Sequence, residues 1–188
     1  MSEFWVFAYG SLMWRPDIAF AERRHALLHG HHRRLCVFSH VHRGTPEKPG
    51  LVMGLDRGGA CRGIAYRIAE AQWPDTLDYL RAREQVTSVY VESHRPVRLI
   101  DGDRRVVTAM VYEADRRHRQ YAGRLSLEEQ VRHVLQGVGV SGRCVDYVNQ
   151  TLMHLEEMGI RDGALEAVGK FVSREVTTHL HLNSSARQ

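Results

Sequence analysis

The apolar positions along the chain fall into two regimes. Over roughly the first two thirds they come in short runs and alternations suited to strands; over the last third they recur at three- and four-residue spacing, as on one face of a helix. The run Phe4-Trp5-Val6-Phe7-Ala8 reads as a buried strand stopped by Gly10 and Ser11, where the chain must turn. A second strand is expected over residues 34–39, followed by the loop His42-Arg43-Gly44-Thr45-Pro46-Glu47-Lys48-Pro49-Gly50, whose prolines and glycines forbid regular structure. Residues 51–55 and 61–68 read as strands joined by an Asp56-Arg57-Gly58-Gly59 turn. Pro74 opens a helix carrying Leu77, Leu80 and Ala82, which delivers Arg83 and Glu84 to its C-terminal end. Residues 89–100 and 105–112 pair antiparallel around Asp101-Gly102-Asp103. Ser126 and Glu129 form a capping box ahead of Leu127, Val131, Val134 and Leu135, and two more helices fit 142–158 and 162–176. Strands before helices, without β-α-β alternation, predict one α+β domain over 1–176 and a polar tail over 177–188.

Composition narrows the partners. At 188 residues, 43% hydrophobic and 26% charged, the chain has the apolar content of a folded soluble domain. Lys+Arg outnumber Asp+Glu by 26 to 22, a net +4, and only Lys48 and Lys170 are lysines. Arginine's planar fork suits two-point capture of carboxylates and phosphates, which favours an anionic partner. Nucleic acid is not expected, because the arginines are spread along the chain among acids such as Asp56, Asp103 and Asp115 rather than clustered with aromatics. Cys36, Cys61 and Cys144 are odd in number and far apart, which argues against a disulfide framework and for a reducing compartment. The first apolar run is too short for a secretory signal, and nothing approaches the ~20 apolar residues of a membrane span. A cytoplasmic protein without a membrane partner is the expectation.

Four groupings carry candidate chemistry. His25, His29, His31 and His32 would offer an i,i+4 metal pair on a helix, but Gly30 and the neighbouring arginines favour a solvated basic segment, so no metal is expected. The cysteines and Ser11 have no nucleophile setting: no G-x-S-x-G elbow exists, and Cys36 lies in an apolar strand. Tyr9-Gly10-Ser11-Leu12 could turn successive N–H groups toward one anion, although most such tetrapeptides are only turns. Glu84 alone would be a solvated helix-end carboxylate.

Together, residues 6–14, His42-Arg43-Gly44-Thr45-Pro46, Gly63-Ile64-Ala65-Tyr66-Arg67 and Arg83-Glu84 resemble the ChaC family of glutathione-specific γ-glutamylcyclotransferases, over roughly residues 4–175. Residues 118–125 and Gly139-x-Ser141-Gly142, with Asp146-Tyr147, resemble that family's C-terminal half. The resemblance implies a small mixed β-barrel with helices packed around it, and cleavage of glutathione to 5-oxoproline and cysteinylglycine. It implies that Tyr9, Gly10, Ser11 and Leu12 bind the γ-glutamyl group and that Glu84 is the acid/base. Where eukaryotic members follow the R-E pair with a glycine-rich stretch and a tyrosine, this chain has Gln85-Val86-Thr87-Ser88-Val89-Tyr90. The implied chemistry is intramolecular attack of the substrate's α-amino group on its own γ-carbonyl, which needs no cofactor, metal or enzyme nucleophile. Arg43 and Tyr121 are expected at the substrate's anionic ends; for Arg43 a loop-stabilising ion pair is an equal alternative. The competing functions are cyclotransfer on other γ-glutamyl amines or dipeptides, and a non-catalytic regulatory binding protein.

Overall fold

The first apolar run forms strand β1 (Phe4–Ala8), buried from Trp5 onward on both faces. Four strands follow it: β2 (Glu22–Ser39), β3 (Gly50–Ile68), β4 (Tyr90–Leu99) and β5 (Val106–Ala114). They close into a barrel in the order β1-β3-β2-β4-β5. β1 is antiparallel to β3, with Phe4 opposite Ile68 and Ala8 opposite Ile64, and parallel to β5, with Trp5 opposite Ala109 and Val6 opposite Met110. This is the mixed barrel of an α+β fold. The computed structural model describes residues 3–84 and 87–185, with side chains described as far as residue 177.

Two strands are longer than the hydrophobic pattern predicts, and glycines explain both. On β2 the buried positions alternate on even numbers before Gly30 (Ala26, Leu28) and on odd numbers after it (His31, Arg33, Leu35, Val37, Ser39), with Cys36 buried on the opposite face as well. Gly30, at φ 82°, inserts the extra residue that switches the faces, so a strand of opposite phase in its two halves looks aperiodic. β3 likewise runs straight through Asp56-Arg57-Gly58-Gly59, where a turn is expected. Gly58 and Gly59 take left-handed φ of 102° and 69° and kink the strand without reversing it. Because the histidine segment is a strand, the helical spacing that would pair His25 with His29 does not arise.

Helix α1 (Trp73–Glu84) occupies the place the sequence predicts and buries Thr76 and Leu80. The Phe4 and Trp73 rings stack 4.9 Å apart, and Arg81 forks onto the Glu92 carboxylate at 2.9 and 3.0 Å. These contacts tie the start of the helix to β1 and its last turn to β4.

Contacts divide the chain into two compact units, Met1–Arg34 with Met53–Tyr121, and Leu35–Val52 with Ala122–Gln188. The chain passes from one to the other inside β2 and β3, without a linker. In the second unit α2 (Leu127–Gln136) starts at the predicted capping box: the Glu129 N–H donates to Ser126 Oγ at 3.2 Å, and the Ser126 N–H to the Glu129 carboxylate at 2.7 Å. A two-residue ribbon, β6 (Val138–Gly139) with β7 (Gly142–Arg143), precedes α3 (Cys144–Glu157). Residues 142–143 are therefore not helical as expected; Gly142 at φ 96° turns the ribbon back. The last helix, α4 (Gly163–Ser185), continues well beyond residue 176, so most of the expected tail is helical, while 186–188 lie outside the described residues.

Candidate active site

β1 ends at Ala8 and leads through Tyr9 and Gly10 into a single 3-10 turn, Ser11–Met13. The Met13 N–H donates to the Gly10 carbonyl and the Arg15 N–H to the Ser11 carbonyl, both at 2.9 Å. The N–H groups of Ser11 and Leu12 precede the first residue that can find an acceptor within the turn, so the turn itself offers them none. Three side chains grip the turn by its other polar atoms. Buried Arg33 on β2 donates Nε to the Tyr9 carbonyl and Nη2 to the Arg62 carbonyl at 2.7 Å. The Tyr66 hydroxyl on β3 donates to the Met13 carbonyl at 2.7 Å and lies 3.3 Å from the Leu12 carbonyl. Arg83 donates from Nη2 to Ser11 Oγ at 3.1 Å and from Nη1 to the Arg15 carbonyl at 2.8 Å. Two glycines serve the turn differently. A Cβ on Gly63 would lie 2.2 Å from the Ala8 carbonyl oxygen, so the strands touch there; a Cβ on Gly10 would meet nothing within 4 Å and would occupy open space.

Glu84 is the last residue of α1, and its side chain is 21% exposed. Its Oε1 lies 3.4 Å from Nε of Arg83, so one guanidinium touches both Ser11 and Glu84. Burial raises the Glu84 pKa above the ordinary carboxylate value, and the Arg83 charge pulls the other way without cancelling it. The unpaired carbonyls of a helix C-terminus disfavour negative charge as well. Tyr9, Gly10, Ser11, Leu12 and Glu84 thus lie in one unit, with Arg83 linking Ser11 to Glu84. Gln85 and Val86 lie outside the described residues. The Tyr90 hydroxyl donates to the Met53 carbonyl at 2.7 Å.

Arg43 and Tyr121 have other contacts. Arg43 belongs to the second unit, where its N–H donates to Ser39 Oγ at 2.9 Å, its Nη1 donates to the Arg143 carbonyl at 3.2 Å, and its guanidinium lies 5.5 Å over the Tyr147 ring. Gly137 makes room for this loop, since a Cβ there would fall 2.4 Å from the Arg43 carbonyl oxygen. The Tyr121 hydroxyl donates at 2.9 Å to Asp56, whose side chain is 1% exposed and also meets Arg116 at 2.7 Å and Arg34 at 3.5 Å. Burial pushes the Asp56 carboxyl up, but Arg116, Tyr121 and the Arg57 N–H together outweigh it and hold the pKa below its usual value.

Sequence reasoning does not anticipate that Arg33, Tyr66 and Arg83 clamp the turn. The phase switch at Gly30 would have placed Arg33 on the buried face. All three cysteines are buried, and none is in a disulfide. Cys144 donates to the Leu51 carbonyl at 3.1 Å, and burial pushes its thiol up to about 11, which leaves it protonated at neutral pH. Among the described residues no group of three or more His, Cys, Asp or Glu converges on a common point, and no helix is long and apolar enough to cross a membrane.

A family model described as ChaC-like protein matches residues 4–175. The chain is 33% identical over 161 residues to the glutathione-specific gamma-glutamylcyclotransferase of Escherichia coli (strain K12), covering 86% of this chain and 69% of that protein. It is 32% identical over 168 residues to glutathione-specific gamma-glutamylcyclotransferase 1 of Mus musculus, covering 87% and 75%. Its fold matches the crystal structure of a γ-glutamyl cyclotransferase specific to glutathione from yeast, with a TM-score of 0.83 at 23% identity over 93% of this chain and 97% of that one. The family match runs from β1 into α4 and includes both the turn after β1 and the Arg83-Glu84 pair, and the chain belongs to the ChaC-like protein family.

Proposed function

We propose that this protein is a γ-glutamylcyclotransferase that cleaves glutathione to 5-oxoproline and cysteinylglycine. The observation that carries the proposal is the Arg83 guanidinium joining Ser11 to Glu84, which sets a carboxylate of raised pKa beside the turn that follows β1. Both sequence relatives described above carry the glutathione-specific cyclotransferase name.

In this reading the turn at Tyr9, Gly10, Ser11 and Leu12 holds the γ-glutamyl chain folded, so that ring closure is an intramolecular step with its orientation already fixed. Ionised Glu84 takes a proton from the substrate's α-ammonium. The freed nitrogen attacks the γ-carbonyl carbon, and the bond to the cysteinyl nitrogen breaks as that nitrogen is protonated. Two protons in all pass from the attacking nitrogen to the leaving one, and Glu84 carries them in turn and ends ionised. A pKa raised above the ordinary carboxylate value suits a group that must both accept and return a proton near neutral pH. The step assigns nothing to Arg43 or Tyr121. Three cysteines outside any disulfide suit the reducing cytoplasm, where this reading places the enzyme.

The test is incubation of the purified protein with glutathione in the presence of a chelator, with products read by mass spectrometry. Equal release of 5-oxoproline and cysteinylglycine is expected. Intact glutathione after prolonged incubation would overturn the proposal. Relative kcat/KM for glutathione and other γ-glutamyl dipeptides then fixes the substrate range.

A further inference from the structure

Arg33 lies on β2 beyond the phase switch at Gly30 and is 7% exposed. Its guanidinium reaches three points within one unit. Nε donates to the Tyr9 carbonyl, Nη2 donates to the Arg62 carbonyl at 2.7 Å, and the same Nη2 lies 3.7 Å from Met13 Sδ. Tyr9 leads into the turn, Met13 ends it, and Arg62 sits on β3 beside Gly63, where β3 and β1 touch. One planar fork therefore bridges β2, β3 and both ends of the turn. Desolvating a guanidinium is costly, and the two-point hold on backbone carbonyls is one that a lysine ammonium does not reproduce.

The contact with Tyr9 has a directional consequence. A trans peptide is planar, with its carbonyl and its N–H on opposite edges, and no peptide bond among the described residues is cis. Because the Tyr9 carbonyl faces Arg33, the Gly10 N–H leads away from the guanidinium. The backbone at Gly10 also borders open space, since a Cβ there would meet nothing within 4 Å. Released from Arg33, this peptide would turn against little steric resistance, because glycine follows it. The other two holders act further along: Arg83 on Ser11 Oγ and the Arg15 carbonyl, Tyr66 on the Met13 carbonyl.

We infer that Arg33 is a positioning residue for the cyclotransferase step: by holding the Tyr9 carbonyl it locks the Tyr9–Gly10 peptide in the orientation that presents the Gly10 N–H to the γ-glutamyl chain. The inference rests on the cyclotransferase reading of the turn. Arg33 touches no reacting atom and acts through the backbone alone. Substrate then meets a donor already aimed, and ring closure requires no reorganisation of that peptide.

Tyr9–Gly10 is the only Tyr-Gly pair in the chain, so protein made with carbonyl-¹³C tyrosine and ¹⁵N glycine gives a single HNCO signal that reports this peptide. In Arg33→Met the carbonyl resonance should move upfield, as for loss of a hydrogen bond. At a temperature where melts show the variant folded, kcat/KM for glutathione should fall by about 10²-fold. Arg33→Lys should lose less, in step with how far the signal moves. A third arm leaves Arg33 in place: in Glu84→Gln, where glutathione persists uncleaved, adding glutathione should shift the Gly10 N–H resonance. An unmoved signal in a folded Arg33 variant, parental kcat/KM despite a moved signal, or a Gly10 resonance indifferent to glutathione would each overturn the inference. A parent enzyme that releases 5-oxoproline confines such a failure to Arg33; an inactive parent overturns the reading of the site and this inference with it.

Discussion

Arg83 donates from Nη2 to Oγ of Ser11 at 3.1 Å, joining the last turn of α1 to the turn that follows β1. The same guanidinium is 3.4 Å from the Glu84 carboxylate. Arg83 is thus a positioning residue with two separable effects, a mechanical one on the turn and an electrostatic one on Glu84.

Arg83→Met removes both effects. Loss of alignment is expected to lower kcat/KM by about 10²-fold. Loss of the positive charge, which depresses the Glu84 pKa, moves the rising limb of the pH profile to higher pH. Arg83→Lys retains the charge and should keep the limb in place while losing most of the alignment. Identical limbs in all three proteins would leave Arg83 without an electrostatic part.

Glu84→Gln preserves shape but cannot move a proton, and turnover should fall by roughly 10²–10⁴-fold. Stability should move the other way. A carboxyl whose pKa is raised on folding binds its proton more tightly in the native state, so its contribution is fully present below the ordinary carboxylate pKa and is lost as pH rises through the raised value. At neutral pH the parent buries a charge that the glutamine variant lacks. Thermal melts should show the variant more stable than the parent at pH 7 and converging with it in acid.

Gly63→Ala and Gly10→Ala separate folding from binding. At Gly63 the added methyl meets the Ala8 carbonyl oxygen at 2.2 Å, and a loss of roughly 1–3 kcal/mol is expected from denaturant titration. At Gly10 the methyl enters open space. That variant should unfold like the parent yet raise KM for glutathione, since the occupied space is where the reading puts substrate. A normal KM would remove Gly10 from the substrate contacts.

Tyr121→Phe deprives buried Asp56 of one donor and should cost about 1–3 kcal/mol of stability with little change in kcat/KM. The Asp56 pKa is lowered in the folded protein, so its contribution is present above the ordinary carboxylate range and is lost as pH falls. The variant should therefore differ most from the parent near neutral pH and least in strong acid. A rise in KM without loss of stability would instead support the expected substrate contact of Tyr121.

The features most legible in the sequence are those fixed by local chemistry: the strand of residues 4–8, the Pro74 helix that ends at Glu84, and the Ser126 capping box. The features that stayed hidden depend on backbone twists or distant partners. Gly30 reverses the faces of β2, so Arg33 looks like one more member of a basic run although it is buried beneath the turn. Gly58-Gly59 has the composition of a turn but kinks a continuous strand. Tyr121 lies in a stretch that resembles the family, yet its hydroxyl reaches Asp56, a contact across 65 positions that no local pattern encodes.

The seam that closes the barrel, where Trp5 meets Ala109 and Val6 meets Met110, joins segments more than half the chain apart. Pairing so distant in sequence carries a high loop-closure cost and forms late. β1 cannot find its parallel neighbour until β5 has left the ribosome, and β1 is the strand that positions the Tyr9-Gly10-Ser11-Leu12 turn. The side chains that grip the turn, Arg33, Tyr66 and Arg83, all precede β5 in the chain, so the turn has its holders before the barrel closes, and closure then secures β1 along its second edge.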